Sequence, residues 1–157
     1  MPRHETGRLD VVRELGYLAL GTRLKRIGER MQARAQSILE QQGLTIPAAQ
    51  FPFLAALDRL GALTIGELAD AVGITQPAAS RTVAQLAASD LVCVLTGSDD
   101  QRRKSIELTS RGKQLVAEGK RAAWPRIDEH VRGLCRGLDG SLLEQLAALE
   151  DRLAELS

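Results

Sequence analysis

The stretch Leu63–Leu86, LTIGELADAVGITQPAASRTVAQL, sets two helix starts in close succession and leaves few folds open to the chain. Thr64 and Glu67 have the spacing of a capping box, and Leu63 and Leu68 that of a hydrophobic staple, so a helix is predicted to begin at Ile65. Gly73, directly after Val72, stands where a helix ends on a left-handed residue. Thr75 then caps a further helix running to Ser89, with Pro77 tolerated in its first turn. Two short helices joined by roughly three or four residues around a glycine form a helix-turn-helix.

The second helix of that pair is the informative one. Ala79, Val83 and Leu86 stand at i, i+4 and i+7 and form its buried seam, which turns Gln76, Pro77, Ser80, Arg81, Ala84 and Gln85 outward. No acid occurs from Gln76 to Ser89. A solvated helix face more usually carries Glu and Lys pairs, whereas a short, polar, acid-free face suits phosphate, which carboxylates would repel.

Directly downstream, VLTGSDDQRRKSIELTSRG (Val94–Gly112) sets acids, a glutamine and three successive bases between two short apolar stretches. Leu91–Leu95 and the alternating Ser105–Leu108 read as strands. A loop of about eight residues between them, with Gly97 able to take positive φ, makes a hairpin too long for a tight turn. Its tip is expected in solvent, with Arg102, Arg103 and Lys104 free for a partner. A helix-turn-helix followed by a hairpin with a basic tip is a winged helix, whose wing reaches the groove beside the one holding the recognition helix. Asp100, two residues before Arg102, is placed to hold the guanidinium in one direction through paired hydrogen bonds, ordered before it meets a minor groove.

The flanks are helical. Leu20, Leu24, Ile27, Met31, Ala35 and Ile38 recur at three- and four-residue steps, so one long helix is predicted from Leu9 to Gln42, ended by Gly43. Thr45 is read as the cap of a second helix reaching Leu60, with Pro52 imposing a kink or a late start near Gln50. The helix after Thr109 should bend at Trp124-Pro125, and Trp124 reads as a core or dimer-interface residue. Leu142, Leu146, Leu149, Leu153 and Leu156 alternate steps of four and three, the repeat of a seam that packs along another helix. These helices outrun the compact core between them, so an intermolecular bundle, a homodimer, is expected.

Composition supports a mainly helical fold with a small hairpin. Apolar residues make up 44% of the 157 and aromatics only 3%, so the core must be built from Leu, Ala, Val and Ile. A net charge of +1 gives no global positive field, and any nucleic-acid binding must come from local clustering. Two cysteines and two histidines, far apart, give no zinc spacing. Cys93, in an apolar strand, is expected to be a small buried hydrophobe. The polar Met1–Asp10 is unlike a signal peptide and no run of 18 apolar residues occurs, so a cytoplasmic protein without membrane contact is expected. With no nucleophile-base-orienter set, phosphate loop or metal cluster, neither an enzyme nor a bound cofactor is expected.

The assembled residues resemble the MarR family of bacterial transcriptional regulators: Leu44-Thr45 with Gln50-Phe51, the helix-turn-helix, Asp100-Gln101-Arg102 as the wing motif Asp-x-Arg, and Leu108–Gly112 as the "LT-x-x-G" opening of the fifth helix. The resemblance implies a homodimer binding pseudo-palindromic double-stranded DNA, usually as a repressor released by a small molecule or by oxidation. It also implies that Asp100 orients a groove-inserting Arg102, and that Gln76, Pro77, Ser80 and Arg81 contact bases and phosphates. The expected DNA-contacting set is therefore Thr75, Gln76, Pro77, Ser80, Arg81, Asp100, Arg102, Arg103 and Lys104. The expected organisation is a single domain over 1–157, with a winged helix-turn-helix core at 46–109 and dimerisation helices at 9–42 and 110–157. Three departures stand out. Asp90 replaces the usual glycine before the first wing strand, where Asp can still enter the left-handed region. Pro52 lies in a helix that in the family is often a wall of the effector pocket. No cysteine lies near the start of the first helix, which disfavours the peroxide-sensing branch. The alternative function is a winged helix that binds protein and has lost DNA, which would more naturally expose apolar or aromatic anchors on its wing.

Overall fold

A computed structural model describes residues 9–97 and 103–156. In chain order it has α1 (Val11–Glu14), a 3-10 turn (Gly16–Ala19), α2 (Leu20–Gln41), a second 3-10 turn (Ala48–Gln50), α3 (Phe51–Leu60), α4 (Ile65–Val72) and α5 (Gln76–Ala88). The hairpin β1 (Val92–Thr96) and β2 (Lys104–Leu108) follows, then α6 (Ser110–Glu118), a π turn (Gly119–Ala123), α7 (Trp124–Cys135) and α8 (Leu142–Ala154). The strands pair antiparallel from Val92 opposite Leu108 to Thr96 opposite Lys104.

The core gathers where α2 ends and the winged helix begins. Leu39, Leu54, Leu68, Leu86, Ile106 and Val116 are its largest fully buried side chains, one from each of α2 to α6 and β2. Leu63 bridges Ile106 through hydrogen bonds in both directions, 2.7 and 3.0 Å. This bridge adds a third edge to the hairpin and seats it against the start of α4.

Several sequence expectations need correction. The helix expected over 9–42 is broken: Gly16 takes φ +57°, a left-handed conformation that ends α1 and turns the chain into a 3-10 step. Asp10 caps α1 and its carboxylate also receives both Arg26 guanidinium nitrogens, at 3.0 and 3.1 Å, folding α1 back on α2. Thr45 caps nothing. The 3-10 turn begins after Pro47, and Pro52 falls in the first turn of α3, where its missing N–H costs no helical bond. The late start near Gln50 is therefore the outcome, not a kink. The bend expected at Trp124-Pro125 comes just before it, in the π turn, which opens the helix ahead of a proline that cannot donate. Lys104 belongs to β2 rather than to the loop.

Asp90 occupies the left-handed region at φ 58°, as its position after α5 requires. Its N–H bonds the Ala87 carbonyl, and its own carbonyl accepts from the Thr109 hydroxyl at 2.6 Å. Thr109 also caps α6 by accepting from the Gly112 N–H at 3.0 Å. Gly112 admits no side chain, because a Cβ there would overlap the Leu91 carbonyl oxygen. The "LT-x-x-G" run thus welds the start of α6 to the exit of α5.

Candidate nucleic-acid interface

The two helices of the helix-turn-helix start as their residues dictate. Thr64 accepts from the Glu67 N–H at 3.2 Å while Glu67 accepts from the Thr64 N–H at 2.8 Å, a complete capping box. That backbone N–H, before any other influence, holds the Glu67 carboxyl below its usual value. Gly73 ends α4 at φ 76°. Thr75 caps α5 by accepting from the Ala78 N–H at 3.4 Å. Ala79, Val83 and Leu86 are buried, while Gln76, Pro77, Ser80, Arg81, Ala84 and Gln85 are all exposed along one face. Thr82, at the edge of the seam, returns its hydroxyl to the Ala78 carbonyl at 3.2 Å and so leaves no polar group stranded.

The wing meets α4 through charge. Arg103 lies 3.5 Å from Glu67 in an exposed ion pair, so it is not wholly free for an outside partner, as its place at the tip had suggested. An ion pair this exposed contributes little to stability; its effect is on the direction the wing base takes. Lys104 is exposed opposite Thr96. Asp100 and Arg102, the proposed orienting acid and inserting arginine, lie outside the described residues.

Cys93 is half-buried rather than enclosed among apolar groups, because its cross-strand partner is Glu107 and the thiol lies 3.8 Å from that carboxylate. Burial first, then the Glu107 charge, pushes its pKa up, the opposite of a reactive thiol.

A cavity of ≈ 810 Å³ opens between the winged helix and the flanking helices. Its walls include Ala35 and Leu39 of α2, Phe51 and Ala55 of α3, and Trp124 and Ile127 of α7. Trp124 meets Phe51 edge to face, ring centroids 5.8 Å apart. Gly119 makes room for this pair, since a Cβ there would press on both rings. Arg59 and Asp128 add charge to the lining, the latter accepting from Arg132 Nε at 2.6 Å. Periodicity does not reveal this cavity, because its walls come from four separated segments, α2, the turn with α3, α4 and α7; the signal was Trp124 itself, the one tryptophan of a chain poor in aromatics.

The comparisons with known proteins place this geometry. A family model described as MarR family matches residues 42–104, from the residue after α2 to the first residue of β2. Over those residues the chain resembles the MarR family. S. aureus MepR, solved in complex with DNA, superimposes on this chain with a TM-score of 0.67 at 28% identity over 92% of this chain and 99% of its own. NadR, solved with 4-hydroxyphenylacetate, gives 0.56 at 26% identity, covering 99% and 97%. A MarR family transcriptional regulator from Silicibacter pomeroyi gives 0.60 at 27% identity, covering 85% and 86%. The protein is a MarR-like DNA-binding regulator. Among the described residues no group of three or more His, Cys, Asp or Glu could hold a metal ion, and no helix is long and apolar enough to cross a membrane.

Proposed function

We propose that the protein is a cytoplasmic repressor that binds a pseudo-palindromic duplex as a homodimer and is released when a small molecule fills the cavity beside Trp124. The observation that carries the DNA reading is the exposed face of α5, which presents Gln76, Ser80, Arg81 and Gln85 without an acid or a large apolar side chain. A protein-docking face would need such an anchor. In this reading Gln76, Pro77 and Ser80 meet base edges in the major groove and Thr75 and Arg81 meet phosphate. Arg102, oriented by Asp100, enters the minor groove, with Arg103 and Lys104 on the flanking backbone.

Release by a small molecule is supported by the cavity. It is of the size and apolar character of small-ligand sites, and it lies between α2, α7 and the helices that hold α5. The MepR complex with DNA and the NadR complex with 4-hydroxyphenylacetate show both kinds of partner on this fold. The test is to select binding duplexes from a random library and titrate them across a salt series. Symmetric half-sites are expected, with an affinity that Arg81→Ala lowers for all sequences alike, the salt slope falling by about one. No enrichment over random duplex would overturn the reading. For the effector, titration with small aromatic carboxylates should change Trp124 emission and release the duplex together.

A further inference from the structure

Between the cavity and α5 a run of side-chain amides ties three elements together. Gln36 of α2 accepts from the Ala48 N–H at 2.7 Å, and its own amide reaches the Ile46 carbonyl at 3.5 Å, holding the turn before α3 against α2. In that same turn Gln50 donates from Nε2 to Oε1 of Gln85 at 3.0 Å. Ala48, Phe51 and Pro52, on either side of Gln50, wall the cavity. Gln50 therefore stands between a cavity wall and the exposed face of α5. The contact also decides which end of the Gln85 amide faces out: with Oε1 engaged by Gln50, the NH₂ group remains as a donor. Donors are what phosphate oxygens and the purine N7 edge accept. Gln85 lies one helical turn beyond Arg81 on the same exposed face.

We propose that Gln50 is a positioning residue for DNA binding: it holds Gln85 with its amide donors toward the duplex, and through this contact the turn before α3 passes the state of the cavity to α5. The positioning role rests on the DNA-binding reading alone. The transmission rests in addition on the effector reading of the cavity.

Both roles are testable on the full-length protein with a duplex selected by the wild type. Gln50→Ala and Gln85→Ala are each expected to weaken binding about fivefold, the worth of one ordinary hydrogen bond. The double variant should lose no more than Gln85→Ala alone. Gln85→Glu separates this from a merely structural contact. Its carboxylate still accepts from Gln50, so the thermal midpoint should hold, but it offers the DNA a negative charge and no donor, and its affinity should fall below that of Gln85→Ala. Losses that multiply, or a Gln85→Glu protein that binds like wild type, would overturn the positioning role. Repeating the selection distinguishes the acceptor. If Gln85 reads a base edge, Gln50→Ala and Gln85→Ala relax the same base pair; if it holds phosphate, both weaken binding and relax none. Relaxation at different positions contradicts the proposal. For transmission, Ala35→Leu fills the cavity from α2, with Ala56→Met as a second filling from α3. Either should lower DNA affinity in the wild-type background and lose that effect when combined with Gln50→Ala. An effect undiminished by Gln50→Ala overturns the transmission. Filling variants that bind like wild type contradict the effector reading and the transmission with it, and the Gln50–Gln85 cycle still decides the positioning role.

Discussion

The winged helix and the helices that flank it satisfy their apolar residues in different ways. From α3 to β2 each element buries side chains within the chain. Along α1, α7 and α8, by contrast, no residue is buried. Tyr17 is 93% exposed, Leu18 85% and Leu143 78%, and Leu24, Ile27 and Leu134 are also open to solvent. The core closes on itself; the flanks form a regular apolar surface without closing it. Exposed apolar surface on this scale marks an interaction site, and the seam repeat of α8 fits a helical partner such as the second copy of the proposed homodimer.

That contrast is sharpest in a pair of truncations. Leu86→Ala, at the centre of the core, should cost about 2–5 kcal/mol of unfolding free energy, measured by urea denaturation. Leu143→Ala on α8 should leave the unfolding of a dissociated protomer nearly unchanged. A large loss at Leu143 in the monomeric state would show that α8 belongs to the core after all. Next in size, Leu142→Asp with Leu146→Asp should convert a dimer to monomer in sedimentation, since a charge in a desolvated seam is costly. A dimer that survives both substitutions refutes the assignment of that seam.

Within the core, Thr64→Ala should cost about 0.5–2 kcal/mol through loss of the α4 cap. Glu67 gives that cap a pH dependence. Its carboxyl is held below the unfolded value, so its contribution is complete above the unfolded pKa of about 4.3 and disappears as pH falls through the lower folded value. Wild type and Glu67→Gln should differ in thermal midpoint at neutral pH and converge in acid; a constant difference would assign the effect to something other than the carboxylate. Smaller still, Asp90→Gly should be neutral or stabilise by up to about 1 kcal/mol, because glycine enters φ 58° without strain and both contacts of residue 90 are made by its backbone. Destabilisation would give the carboxylate a role of its own. The slightest effect is expected at the thiols: Cys93 should alkylate more slowly than a free model thiol at neutral pH, and Cys93→Ala with Cys135→Ala should retain DNA affinity.

What the sequence disclosed follows the same division. The caps made by Thr64, Glu67, Gly73, Thr75 and Thr109 lie within a turn of each residue, so local spacing was enough to place α4, α5 and the start of α6, whereas the Thr109 bond to the Asp90 carbonyl was not legible. Asp90 was legible for the same reason, since a position after a helix demands positive φ. Gly16 escaped because the apolar stripe runs past it unbroken, and periodicity does not register a single residue that turns the chain. The cavity, the Gln50–Gln85 contact and the Glu67–Arg103 pair join residues far apart in sequence, and only the packed fold brings them within reach. Cys93 was misjudged because its neighbours along the strand are apolar while its neighbour across the hairpin, Glu107, is not.

The scarcity of aromatic rings gives the protein two built-in optical probes. Its single tyrosine, Tyr17, lies on the exposed apolar flank, and its single tryptophan, Trp124, packs on Phe51 at the cavity wall. Emission from Trp124 should follow what enters the cavity, and the absorbance of Tyr17 should follow the pairing of two chains. The two events can thus be timed against each other in unlabelled protein.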